Sequence, residues 1–272
     1  MEWVLLVIIG LAAGTLGSLM GLGGGIIVVP SLMLLSSYMA ILKGVTPQVA
    51  VGTSLLIMIF TGLSSTLTYM KQKKIDYKSG FIFLIGSIPG ALFGVYLNKG
   101  IEVKPFLIYF GLFIIFVSFL LMVRKRLKPI QLGTKGIRRT MMDADGNEVT
   151  YGFHPALALA ISFVVGMLSG FFGIGGGSLM VPAMILLFGF PPHIAVATSM
   201  FMIFFSAIVS SISHIMLGNV NWLYALALVP GAWMGGILGA KINERLKSDT
   251  LVAILRIFLI IIGLRLIWQG IS

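Results

Sequence analysis

Gly14-Thr-Leu-Gly-Ser-Leu-Met-Gly-Leu-Gly-Gly-Gly-Ile-Ile-Val-Val-Pro30 and Gly166-Met-Leu-Ser-Gly-Phe-Phe-Gly-Ile-Gly-Gly-Gly-Ser-Leu-Met-Val-Pro182 are two copies of one pattern. The register continues beyond them. Pro47-Gln-Val-Ala-Val-Gly-Thr53-Ser54 parallels Pro192-His-Ile-Ala-Val-Ala-Thr198-Ser199, and Ser64-Ser65 falls on Val209-Ser210. Asp76-Tyr77 falls on Asn221-Trp222, and Pro89-Gly90 on Pro230-Gly231. The chain therefore reads as two related halves, a recurrent plan among membrane transporters.

Composition places those halves in a bilayer. Hydrophobic residues make up 58% of the 272 residues and charged ones 10%, far below the roughly 25% of a soluble domain. Mean hydropathy is +1.07. Eight apolar blocks can be read, at 3–37, 45–70, 79–97, 106–123, 155–189, 194–217, 222–240 and 250–268. The first lacks a basic leader and a small-residue cleavage site, so it reads as a membrane helix and not as a removed signal. The fold class expected is all-α and polytopic. Its parts are an N-terminal membrane repeat (1–123), a basic loop (124–153) and a C-terminal membrane repeat (154–272).

Block length predicts how the repeats are built. The block 3–37 holds 35 residues, roughly 52 Å as straight helix, against a hydrocarbon core of about 30 Å. It should break at Gly21, Gly23, Gly24 and Gly25 and fold back as two limbs. The block 155–189 should do the same between Gly173 and Gly177, its second limb starting at Gly177. Each half then has five helical limbs. Two odd halves in sequence must lie with inverted orientation, as two inverted repeats with broken, re-entrant Gly-rich helices. Placing the central loop in the cytoplasm puts Lys71, Lys73, Lys74, Lys78, Lys241, Arg245 and Lys247 on the same side, as the positive-inside rule requires. The same rule accounts for the net charge of +11 without nucleic acid. Within the loop, Asp143-Ala144-Asp145-Gly146-Asn147 lacks the terminal acid of a calcium loop and reads as a hairpin turn.

The paired breaks are the candidate site. Irregular backbone at membrane depth is tolerated where it is buried in protein or lines a polar cavity. A limb starting at Gly25 or Gly177 aims unpaired N–H groups and a positive dipole end at the break, which suits an anion. The candidate substrate-binding residues are Gly21, Gly23, Gly24, Gly25, Gly173, Gly175, Gly176 and Gly177. The hydroxyls of Thr53, Ser54, Thr198 and Ser199 join them as donors without negative charge, with Gln48 and His193 at the starts of the same helices. All eight acids, Glu2, Asp76, Glu102, Asp143, Asp145, Glu148, Glu244 and Asp249, fall in loops or at block ends. Cation carriers usually place one inside, so an anionic substrate is favoured. Arg256 and Arg265 read as snorkelling groups. His214, near a helix end, is a candidate proton carrier and is read as interfacial. With no cysteine, thiolate metal sites and disulfides are excluded. No catalytic, metal or cofactor motif is present: the glycine runs lack the Lys-Ser/Thr of a P-loop.

Taken together, the paired Gly-x-Gly-Gly-Gly…Pro signatures, Ala50-Val-Gly-Thr-Ser54 with Ala195-Val-Ala-Thr-Ser199, and Gly218-Asn-Val-Asn-Trp222 resemble the sulfite exporter TauE/SafE family of permeases over nearly the whole chain. The resemblance implies export of sulfite or a small organosulfonate across the plasma membrane by alternating access. An anion channel and a non-transporting membrane assembly subunit are the competing readings of the same residues.

Overall fold

The computed structural model describes residues 2–36, 45–123, 136–142, 148–175, 179–245 and 248–271. Lys43, Gly176, Gly177, Lys247 and the expected hairpin turn at 143–147 lie outside them, as do Arg124, Lys125, Arg126, Lys128 and Lys135 of the basic segment. Ten helices and one two-stranded hairpin are described. The first half holds α1 (Glu2–Met20), α2 (Gly25–Leu35), α3 (Pro47–Lys71), α4 (Tyr77–Asn98) and α5 (Val103–Val123). The second holds α6 (Pro155–Phe172), α7 (Met180–Leu187), α8 (Pro192–Met216), α9 (Trp222–Arg245) and α10 (Ser248–Ile271). Six of them, α1, α3, α4, α6, α8 and α9, are long and apolar enough to cross a membrane.

Local chemistry sets the helix ends. Thr46 caps α3 by accepting the Val49 N–H at 3.3 Å, and Pro47 follows at a position that needs no donor. Asp76 caps α4 through the Ser79 N–H. Asn221 accepts the Leu223 and Tyr224 N–H groups ahead of α9. Each overlong block breaks at its glycines. Gly21, Gly23 and Gly24 have φ of 71°, 71° and 92°, and Gly173 and Gly175 have 70° and 77°, values that L side chains rarely adopt. The return limbs differ: α2 starts at Gly25, but α7 starts at Met180 and not at Gly177.

The helices pack in exchanged pairs: α1 lies on α9, α6 on α4, α3 on α8, and α5 on α10. Small residues permit the approach, as membrane interfaces require when lipid is as apolar as leucine. Gly231, Gly235 and Gly239 of α9 meet the carbonyls of Val7, Leu11 and Thr15 on α1. Gly86, Gly90 and Gly94 of α4 meet those of Leu159, Phe163 and Met167 on α6 in the same way. This corrects one alignment. Gly90 corresponds to Gly235, so Pro89-Gly90 and Pro230-Gly231 are one helical turn out of register, and Asn98 falls on Asn243.

The hairpin adds a small β element to the helical fold. β1 (Ile137–Met142) pairs antiparallel with β2 (Glu148–Phe153), closing at Met142 opposite Glu148. Its inner end is anchored by Phe153, which packs among Phe83 of α4 and Phe188 and Phe190 after α7. The Gly152 N–H also donates to the Phe188 carbonyl at 3.2 Å.

Candidate functional site

The two glycine breaks meet each other across α3 and α8. Gly25, first residue of α2, lies so close to the other break that an added Cβ would overlap the Gly173 carbonyl and stand 2.7 Å from Ile174 Cα. Met58 of α3 lies against Gly23, Gly25 and Gly175 together, and Ile203 of α8 lies against Gly23 and Gly175. All of these glycines are buried. The Ile27 and Val28 N–H groups turn back to the Gly24 carbonyl at 3.0 Å each, and no side chain caps α2. Its first N–H groups therefore carry the partial positive charge of a helix start with no intrahelical acceptor.

The Thr-Ser pairs clamp this junction, each reaching into the other half. Ser54 Oγ donates to the Gly173 carbonyl at 2.9 Å, and Ser199 Oγ donates to the Gly21 carbonyl at 2.6 Å. Thr53 Oγ1 accepts the Asn221 N–H at 3.1 Å, and Thr198 Oγ1 accepts the Asp76 N–H at 3.0 Å. Every one of these hydroxyls is fully buried. The serines thus hold the breaks themselves, while the threonines tie them to the links ahead of α4 and α9.

Gln48 and His193 are placed one tier out. Gln48 Nε2 donates to the carbonyls of Asn98 and Ile101 at 3.1 and 2.9 Å, and Asn98 Nδ2 donates to the Phe171 carbonyl at 2.8 Å. In the other half His193 Nδ1 lies 2.8 Å from Asn243 Oδ1, and Asn243 Nδ2 donates to the Leu19 carbonyl at 2.7 Å. Leu19 and Phe171 each precede a break by two residues. Asn98 and Asn243 therefore support the breaks, and sequence reading missed both. Their matched positions were the available signal, hidden by aligning the two Pro-Gly pairs.

Asp76 stands in the link ahead of α4, at a block end as expected, and is 1% exposed. It accepts from Ser79 Oγ at 2.6 Å, Tyr151 Oη at 2.9 Å, and Arg139 Nη2 and Nε at 3.1 and 3.3 Å. Burial pushes its carboxyl up, but Arg139, Ser79 and Tyr151 together outweigh that and hold it below the ordinary aspartate value. The basic segment thus supplies a partner to the link that touches Thr198. His214, in the last turn of α8, has a completely buried side chain. Arg265 is exposed, while the Arg256 side chain lies outside the described set. Among the described residues no three His, Asp or Glu side chains gather that could hold a metal ion.

Comparison with known proteins agrees with this architecture. A profile described as Sulfite exporter TauE/SafE matches residues 6–266. The chain is 58% identical over 271 residues to "Probable membrane transporter protein YunE" of Bacillus subtilis, covering 100% of this chain and 99% of that one. It is 27% identical to YjnA of the same organism, also described as a probable membrane transporter protein, over 97% of this chain and 99% of the relative. "Sulfite exporter TauE/SafE family protein 6" of Arabidopsis thaliana is 24% identical over 69% of this chain and 41% of its own length. No solved structure matches.

Proposed function

Since the chain belongs to the sulfite exporter TauE/SafE family of membrane transporters, we propose that it is a secondary carrier exporting a small anion, sulfite or an organosulfonate. The carrying observation is the junction of the two breaks: buried, irregular backbone from both halves, lined by a helix start and, among the described residues, free of carboxylate. Backbone N–H groups bind the anion there, assisted by Thr53, Ser54, Thr198 and Ser199. Sulfite is the substrate class because the relatives' family name carries it and because a compact oxyanion suits backbone donors.

The clamps support a reading of alternating access. The halves lie inverted in the plasma membrane, with 124–153 cytoplasmic. Asp76–Thr198 closes the cytoplasmic side, and Asn221–Thr53 closes the opposite one. Ser54 and Ser199 release their carbonyls in turn as one half rocks against the other. A thermal-shift screen of sulfite, sulfate, alkylsulfonates and small carboxylates tests the substrate. A bound anion at 100 times its Kd stabilises by about 2.7 kcal/mol. Stabilisation by sulfite or a sulfonate supports the reading, and stabilisation by carboxylates alone overturns it.

A further inference from the structure

The two halves differ where they would be expected to match. Tyr69 on α3 is fully buried and donates to the Ser18 carbonyl of α1 at 3.0 Å. The corresponding residue in the other half is His214 on α8, and the residue corresponding to Ser18 is Gly170 on α6. The Gly170 carbonyl stands beside the imidazole. His214 is as buried as Tyr69, yet neither ring nitrogen closes a hydrogen bond among the described residues. An unpartnered polar side chain inside a bilayer protein carries a free-energy cost. Tyrosine avoids that cost at the matching position.

The place of the ring gives the cost a purpose. On α3, a Cβ at Gly52 would stand 3.0 Å from His214 Cβ, and Gly52 precedes the Thr53-Ser54 pair. On α6, Gly170 precedes Gly173 by one turn. Ser54 Oγ to the Gly173 carbonyl is the bond that joins these two helices at the break. His214 therefore fills the corner behind that clamp. The Asn219 N–H, donating to the His214 carbonyl at 2.9 Å, closes the helix end toward the Asn221–Thr53 contact.

We infer that His214 is a proton-binding site coupled to the anion, so that proton and anion move together; this rests on the anion reading above. A ring nitrogen uses its lone pair to take a proton from water as the anion arrives, and returns it to water as the anion leaves. Imidazole titrates near neutrality in water. A buried cation and a buried anion each lower the other's cost at short range, and such coupling is reciprocal. α3 presents Gly52, with its own Tyr69 engaged on Ser18, and α6 has no titratable residue. Tyr77, Lys78 and Tyr96 of α4 are exposed. Tyr224 of α9 is buried.

The test uses the whole protein in detergent, in weak buffer with a pH-indicator dye. The probes are sulfate and methanesulfonate, which do not themselves titrate near neutral pH. Wild type should take up protons on binding, and its affinity should fall by up to about tenfold per pH unit as pH rises through the imidazole range. His214→Gln, and His214→Tyr built on the Tyr69 precedent, should bind the probes with no proton uptake and no pH dependence. Unchanged proton uptake in both variants, or probe binding to wild type without any, overturns the proposal while leaving the anion reading intact. If neither these probes nor sulfite stabilises wild type or variants, the anion reading fails and takes this proposal with it.

Discussion

Gly25→Ala is the sharpest perturbation of the junction, because its backbone is ordinary and only its surroundings object. Gly25 does not have a positive φ, so alanine is conformationally acceptable there. Reducing unfolded-state freedom alone would favour alanine by about 0.4–1 kcal/mol. Its methyl group, however, would overlap the Gly173 carbonyl, stand 2.7 Å from Ile174 Cα and 3.0 Å from Met58 Sδ. Two of those neighbours are backbone, so side-chain rotation cannot relieve them. Restoring a carbon contact of about 3.5 Å requires the breaks to separate by roughly 1 Å. That shift would stretch the 2.9 Å Ser54–Gly173 bond beyond useful length. Overpacking of this kind costs about 1–3 kcal/mol. The expected net effect, the overpacking cost less that entropic gain, is a destabilisation of up to about 2.6 kcal/mol. Each tenfold in rate corresponds to about 1.4 kcal/mol of barrier, so transport should fall by roughly tenfold. Gly100→Ala is the control, with nothing within 4 Å of an added Cβ. Thermal unfolding in detergent and uptake of radiolabelled sulfite by proteoliposomes read both effects. Wild-type melting and uptake in Gly25→Ala would refute the reasoning.

Other consequences follow from the same contacts. Arg139→Ala leaves the buried Asp76 carboxylate with Ser79 and Tyr151 alone and should cost about 1–3 kcal/mol, with faster proteolysis in the segment 124–153. The Asp76 carboxyl sits below its ordinary value in the folded protein. Its contribution is therefore complete above the unfolded value of about 3.9 and is lost as pH falls through the folded one. Hairpin protection should accordingly be constant near neutrality and fall only in acid, with the loss absent from Asp76→Asn. Asn98→Leu and Asn243→Leu each leave a carbonyl ahead of a break without its donor, and each should lower stability by about 1–3 kcal/mol. The natural absence of cysteine makes single-cysteine labelling clean. Glu102→Cys should react with an impermeant maleimide from outside the cell, and Lys71→Cys and Glu244→Cys only after permeabilisation.

What could be read from the sequence was what one half encodes by itself. The breaks at Gly21 and Gly173 were legible because an overlong apolar block must fold back and glycine alone accepts the angles. The Thr-Ser pairs were legible as matched positions, but their partners were not. Ser54 meets Gly173 and Ser199 meets Gly21, contacts that exist only after the halves are interleaved. The burial of Asp76 was not legible because its shield, Arg139 and Tyr151, lies more than sixty residues further on, in a segment read as a basic loop. The burial of His214 was not legible because position along a helix says nothing about the loop folded over its end. Asn98 and Asn243 escaped notice because two Pro-Gly pairs offered a more conspicuous, wrong alignment, one turn away from the glycine stripe that actually packs.

The central claim is that the junction of the breaks is a carrier site for a small sulfur oxyanion. The most direct measurement is counterflow: proteoliposomes loaded with unlabelled sulfite, diluted into a trace of radiolabelled sulfite. The account predicts transient, saturable accumulation of label that requires sulfite on the inner side and is lost in Gly25→Ala. Label entry that is unsaturable and indifferent to internal sulfite, or no protein-dependent entry at all, would contradict it.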